Sequence, residues 1–179
     1  LGCGTSSGVQ RTGNDWGDCD PPNYKNRRTR SSIIIEQDGF RVLVDTGPDL
    51  RYQMLANDID HVDAVIWTHD HADHSHGIDD LRQLFMRTRA PIAGYASTTT
   101  AESLQSRFGF VFSGNAGYPA TALMTILEGN CAIGPFTVST VEQPHGPMQS
   151  TGLRFEAGGK SCSYAIDFSS ITNEMIDLY

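Results

Sequence analysis

The chain has 179 residues, enough for one domain with a sizeable core and short for two. Hydrophobic residues make up 39% and no tract is compositionally biased, which excludes a disordered or fibrous chain. The formal charge of −8 argues against sliding along nucleic acid, and the longest apolar runs are strand-sized, far below the ~20 residues of a membrane-spanning helix, so neither a stable nucleic-acid complex nor a membrane partner is expected.

Leu1 is not an initiator, and "LGCGTSSG" reads as the end of a strand entering a glycine-rich loop, so further sequence is expected before it. The first thirty residues are dense in Gly, Asn, Asp, Ser and Pro without a sustained period, which predicts a long loop of the kind that is usually functional. Within it "KNRRTR", Lys25 to Arg30, is either a solvated stretch or a contact for an anionic substrate, with Arg27 and Arg28 as candidates.

A hairpin follows: Ile33 to Glu36, a turn at Gln37-Asp38-Gly39, then Phe40 to Val44, leaving Asp45 at a strand end. Pro48 opens a short helix with Leu50, Met54 and Leu55 at helical spacing. Ala64 to Thr68 is a buried-type strand, and "IDDLRQLFMRT" places Ile78, Leu81, Leu84 and Phe85 on one helix face. "APIAGYAS" is another strand, and "TTTAESLQSRFG" a helix capped by one of Ser97 to Thr99 and ended by Gly109. Strands are expected at Leu123 to Leu127, Phe136 to Val141, Gly152 to Phe155 and Ser163 to Ile166, and "NEMIDLY" begins a helix. Alternating elements followed by strands indicate a layered α/β fold with a mixed sheet and polar loops at strand ends.

Between Val65 and Asp80 the sequence "VIWTHDHADHSHGIDD" holds four histidines and four aspartates. His69 and His71, two apart on an extended loop, point to one side and can share an ion; Asp73 and His74 can face a second position nearby. Imidazole and carboxylate suit Zn²⁺, with Mn²⁺ or Fe²⁺ as competitors, and the cluster lacks the thiolates of a structural Cys₄ site. A solvated, histidine-rich turn is the competing reading; it is disfavoured because four of the six histidines fall within eight positions directly after a strand. Further along, His145 in "VEQPHGPM" is either a ligand or an ordinary loop histidine. Asp167 in "SYAIDFSS" is either a carboxylate bridging two metals or a cap for the helix beyond. The four cysteines, Cys3, Cys19, Cys131 and Cys162, show no close pairing and no signal peptide is visible, which points to a reducing, cytoplasmic setting.

"THDHADH", with Asp45 in "LVDTGPD" upstream and His145 and Asp167 downstream in that order, resembles the metallo-β-lactamase superfamily of binuclear metallohydrolases. "LGCGTSSGV" and "YAIDFSS" further resemble its branch containing the carbon-phosphorus lyase pathway phosphodiesterase, with the ribonuclease Z enzymes more distant. The resemblance implies an α/β fold of the αββα four-layer sandwich type, one domain over residues 1–179 that lacks the family's N-terminal strand and C-terminal strand-helix units. It assigns His69, His71 and His145 to a first metal and Asp73 and His74 to a second, with Asp167 bridging both. Asp45 would orient the histidine loop and Asp73 the nucleophile. His76 and Arg82 are further candidates for substrate contact, while Asp79 and Asp80 are expected to cap and salt-bridge the helix. The family's second metal takes one more histidine near the C-terminus, and none follows His145 here. Some members carry a separate zinc on cysteines in the first loop, where this chain has only Cys19, so that site is not expected.

The implied function is a two-metal hydrolase acting through a metal-bridging hydroxide on a small nucleotidic or cyclic ribose phosphate. A lactonase or thioesterase, and a non-catalytic metal-binding protein of a biosynthetic operon, are the alternatives. A homodimer is compatible with the sequence.

Overall fold

Short apolar runs build the first sheet of the computed structural model, which describes residues 1–179. Its strands are β1 (Ile33–Gln37), β2 (Phe40–Val44), β3 (Ala64–Trp67), β4 (Ile92–Ala96) and β5 (Ala122–Ile126), in that spatial order. β1 is antiparallel to β2, and β2 to β5 run parallel. Leu43, Val65 and Trp67 point into one core, while Val42, Val44, Ala64 and Ile66 point into another. Burial on both faces explains why these strands read as unbroken apolar runs.

The helices α1 (Leu50–Ala56), α2 (Ala72–Ser75, a single turn), α3 (Leu81–Thr88), α4 (Thr98–Arg107) and α5 (Gly109–Ser113) connect the parallel strands. Leu50, Leu81, Leu84, Leu104 and Val111 pack the helical layer onto the first core. The second sheet is antiparallel throughout: β6 (Asn130–Ile133), β7 (Phe136–His145), β8 (Met148–Ala157) and β9 (Lys160–Tyr164). Its Ile133, Phe136, Val138, Leu153 and Phe155 meet the first sheet in the second core. α6 (Asn173–Leu178) packs against β7 and buries Met175, completing helix, sheet, sheet and helix, the αββα arrangement expected.

Several boundaries differ from expectation. The hairpin turn is tight, with Asp38 at φ 54° and Gly39 at φ 83°, so β1 extends to Gln37. Met54 enters the core, but Leu55 is 62% exposed; the buried neighbour is Gln53, whose amide donates to the Arg30 carbonyl and the Thr29 hydroxyl. Ser97 caps α4, which ends at Arg107, and Gly109 opens the unpredicted α5 instead of a loop. β6 was also missed, and β7 runs on to His145 because its ladder with β8 continues to the His145–Met148 pair. β9 stops at Tyr164, so Asp167 lies three residues past a strand and not at its end. No helix is long and apolar enough to cross a membrane.

Candidate metal centre

The parallel strands β2 and β3 end side by side, and the loops that leave them carry the site. Asp45, just beyond β2, has φ 64° and is fully buried. Its Oδ1 accepts from the Thr68 amide at 2.8 Å, and its Oδ2 from the Thr68 hydroxyl at 2.9 Å. Oδ2 also lies 2.7 Å from His74 Nδ1. This contact fixes the imidazole with Nδ1–H toward the carboxylate and Nε2 outward, the usual orientation of a metal-binding histidine. The loop after β2 also touches the histidine segment through bare backbone. Thr46 donates to the His74 carbonyl at 2.8 Å, and Gly77 to the Thr46 carbonyl at 2.7 Å. A Cβ on Gly47 would sit 2.2 Å from the Asp73 carbonyl oxygen, and one on Gly77 2.0 Å from that of Gly47.

Two donor sets converge in front of these loops, sharing Asp167. In the first, His71 Nδ1 lies 3.1 Å from His69 Nε2 and 3.2 Å from His145 Nε2. Asp167 Oδ2 is 3.6 Å from His69 Nε2 and 3.7 Å from His145 Nε2. A tetrahedral ion with bonds of about 2.0–2.1 Å has ligand–ligand edges of roughly 3.3–3.4 Å, so these four donors fit one. In the second set His74 Nε2 lies 3.3 Å from both Asp73 Oδ2 and Asp167 Oδ2, leaving coordination positions open. The two sets together draw on the loop beyond β3, the last residue of β7 and the segment beyond β9.

The electrostatics match this use. Burial pushes His69 down to about 4, reinforced by the charge of His74, so its ring is neutral near pH 7. Burial also works to lower His74, but Asp167, Asp45 and Asp73 outweigh it and raise that ring to about 12. The bond to His74 holds Asp73 at about 2 and lowers Asp167 as well. The pocket thus offers a neutral imidazole at His69 and ionised carboxylates at Asp73 and Asp167, donors suited to borderline divalent ions.

The sequence-predicted ligands His69, His71, Asp73, His74, His145 and Asp167 are therefore brought together, with Asp45 behind them. The candidate substrate contacts are each engaged with other groups of the chain. His76 Nε2 meets Arg107, and its ring packs on Phe108. The Arg82 guanidinium lies over the Tyr118 ring at 4.8 Å and the Arg27 guanidinium over Trp16 at 5.1 Å. Arg28 contacts the Lys25 carbonyl and Cys3. Asp80 occupies the cap position of α3, yet its side chain makes no capping bond, contrary to expectation.

Residues that were not foreseen hold the ligands. Thr68 pins Asp45, Ser75 donates to the carbonyls of Asp70 and His71, and Asp70 is clamped by Ser103 and Arg107. For Thr68, Asp70 and Ser75 the signal available was position alone, flanking or alternating with the ligands, whereas Ser103 and Arg107 on α4 carried none.

Converging histidine and aspartate donors at the strand ends of an αββα sandwich define a protein of the metallo-β-lactamase fold. The chain belongs to the β-lactamase superfamily, residues 40–179 matching the Beta-lactamase superfamily domain. A crystal structure of a diphosphatase from the PhnP family is 33% identical, with a TM-score of 0.85, covering 98% of this chain and 67% of its own. The zinc-bound PqqB of Methylobacterium extorquens is 22% identical with a TM-score of 0.72, covering 97% of this chain and 66% of its own, and supports the fold. A protein named octanoyltransferase from Porphyromonas gingivalis (strain ATCC BAA-308 / W83) is 34% identical over 182 residues, 99% of this chain. The chain spans 36% of that relative's length.

Proposed function

We propose that this centre hydrolyses a phosphodiester in a small substrate, nucleotidic or cyclic ribose phosphate in type. The observation that carries the reading is the sharing of Asp167 between a three-histidine set and the Asp73–His74 pair, an arrangement for two adjacent cations. Two divalent ions there, Zn²⁺ first and Mn²⁺ or Fe²⁺ as alternatives, would make water a competent nucleophile near neutral pH and neutralise phosphoryl oxygens. Asp73, held ionised by His74, can orient the attacking water by accepting its hydrogen bond. Asp45 keeps the His74 ring from turning, and Arg107 fixes the loop between His69 and His71 through Asp70.

The 33% identity to the PhnP-family diphosphatase supports phosphoryl chemistry. Beside His145, whose neighbours Pro144 and Gly146 form part of its wall, lies a cavity of about 600 Å³ with Asp70, Ser103, Glu142 and Gln149 in its lining. Carboxylates and hydroxyls at that place suit the hydroxyl groups of a sugar better than an apolar chain. Hydrolysis of a thioester or lactone is the second reading, favoured by the likeness to the protein named octanoyltransferase.

The deciding experiment loads the full-length protein with Zn²⁺ or Mn²⁺ and compares bis(p-nitrophenyl) phosphate and cyclic nucleotides with an octanoyl thioester and a lactone. Phosphodiester turnover that disappears in His69→Ala and Asp73→Asn is expected. Faster turnover of the thioester or lactone would replace the reading with the second one, and no turnover of either class would favour a binding role.

A further inference from the structure

We propose that Gln143, Ser150 and Tyr179 form a strut, buried at Gln143 and Ser150 and reaching the surface at Tyr179, that sets the position of Asp167 and thereby governs retention of the second cation. The inference rests on the two-cation reading above.

Asp167 has no sheet to hold it. It lies past the end of β9 with φ 52°, yet its carboxylate must meet donors from two other segments. The two carbonyls that flank its Cα, those of Ile166 and Asp167, are gripped from β7 and β8 instead. Gln143 Nε2 donates to the Ile166 carbonyl at 2.7 Å and to Ser150 Oγ at 2.8 Å, using both amide protons. Ser150 has one hydroxyl proton, and the Asp167 carbonyl at 2.9 Å is the closer of its two acceptors. Tyr179 donates to Gln143 Oε1 at 2.6 Å, which fixes which way the amide faces. Every donor in the chain thus has an acceptor, in one direction from Tyr179 to Asp167.

Gln143 is 0% and Ser150 1% exposed, so these polar groups were taken out of water to make this chain of bonds. A second observation points to the same purpose. Gly152 lies on β8 opposite Val141, and a Cβ there would fall 1.8 Å from the Tyr179 hydroxyl and 2.9 Å from Gln143 Oε1. The glycine is the slot through which the tyrosine reaches the glutamine.

The strut acts unequally on the two donor sets. Without a well-placed Asp167 the first set keeps His69, His71 and His145, whereas the second keeps only Asp73 and His74, adjacent in the chain. Disorder of Asp167 therefore releases the second cation before the first. Gln143, Ser150 and Tyr179 are positioning residues, since their bonds reach the centre only through the backbone at Ile166 and Asp167.

The test titrates the metal-free full-length protein with Zn²⁺ by calorimetry, repeats it with Co²⁺ followed by its visible spectrum, and records the melting temperature of each metal-free variant. Wild type is expected to take up two ions per chain. Ser150→Ala should keep the first affinity within about threefold and weaken the second by about 10–100-fold, the usual range for a residue that orients a ligand. Tyr179→Phe, which removes one oxygen at the far end and guards against a variant that fails to fold, should move the second affinity the same way by less. Unchanged affinities in both variants, or equal weakening of both ions, would overturn the strut. Fewer than two ions on the wild-type chain would overturn the two-cation reading itself, an outcome visible before any variant is made.

Discussion

Asp45 is the residue on which the site's orientation turns. Its two oxygens accept from the Thr68 amide and hydroxyl and face His74 Nδ1, all inside the protein. In Asp45→Asn one oxygen becomes an NH₂ group that cannot accept from Nδ1–H, so the ring must change tautomer or turn, and Nε2 ceases to be a dependable ligand. The expected result is a loss of about 10–100-fold in affinity for the ion at His74, with about 1–3 kcal/mol of metal-free stability lost to the unpaired buried groups. Zinc titration and urea melts measure the two separately. At this scale the sequence was legible where chemistry is compact. His69, His71, Asp73 and His74 fall within six positions, and no common structural role gathers such residue types together. His145 and Asp167 were ambiguous alone, because only the fold brings residues 74 and 98 positions beyond His71 and His69 to the same point. Gln143, Ser150 and Thr68 were not legible at all, since a buried polar residue on a strand differs from an exposed one only in what folds over it.

At the level of elements, the loops after β2 and β3 approach so closely that both contact points are glycine. Gly77→Ala would place its Cβ 2.0 Å from the Gly47 carbonyl oxygen, and neither backbone can yield without moving Asp73 or His74. Such overpacking costs about 1–3 kcal/mol, and the displaced loop should also weaken metal uptake. Normal zinc affinity in this variant would show that the two loops tolerate separation. β3 and β4 are matched in a similar way. Fully buried Trp67 occupies the space over Gly94, where a Cβ would fall 2.8 Å from its ring, and donates Nε1–H to Thr46 at 2.8 Å. Trp67→Ala should therefore cost about 3–5 kcal/mol, read from a denaturant curve. The amphipathic elements were readable because burial repeats along them, as Leu81, Leu84 and Phe85 of α3 and Ile78 in the 3-10 turn before it illustrate. β6 and α5 were not, because four or five residues hold too few turns or alternations to establish a period, and pairing with β7 and packing on α4 decide their structure.

Across the whole molecule, the centre is also a joint. His69, His71, Asp73 and His74 leave the first sheet, whereas His145 and Asp167 leave the second. Near the site the two sheets share the bond from the Thr151 amide to the Thr68 carbonyl at 2.9 Å, and deeper they share the core around Ile66, Val138 and Leu153. A cation taking donors from both sheets binds only when they are docked, so its binding energy adds to the stability of the folded state. At a free metal concentration of 100 times Kd this linkage amounts to about 2.7 kcal/mol, and for a chain of this size about 2–4 °C of Tm accompany each kcal/mol. Chelation should therefore lower Tm by roughly 5–11 °C, reversibly on adding back Zn²⁺. His145→Ala separates this linkage from a local effect. It removes a part-exposed side chain and should leave the metal-free Tm nearly unchanged, while taking away the second sheet's only histidine in the donor cluster. Most of the metal-induced rise in Tm should then disappear. If the variant kept the full rise, the cations would be stabilising the first sheet's loops alone, and the joint would reside in the apolar core between the sheets.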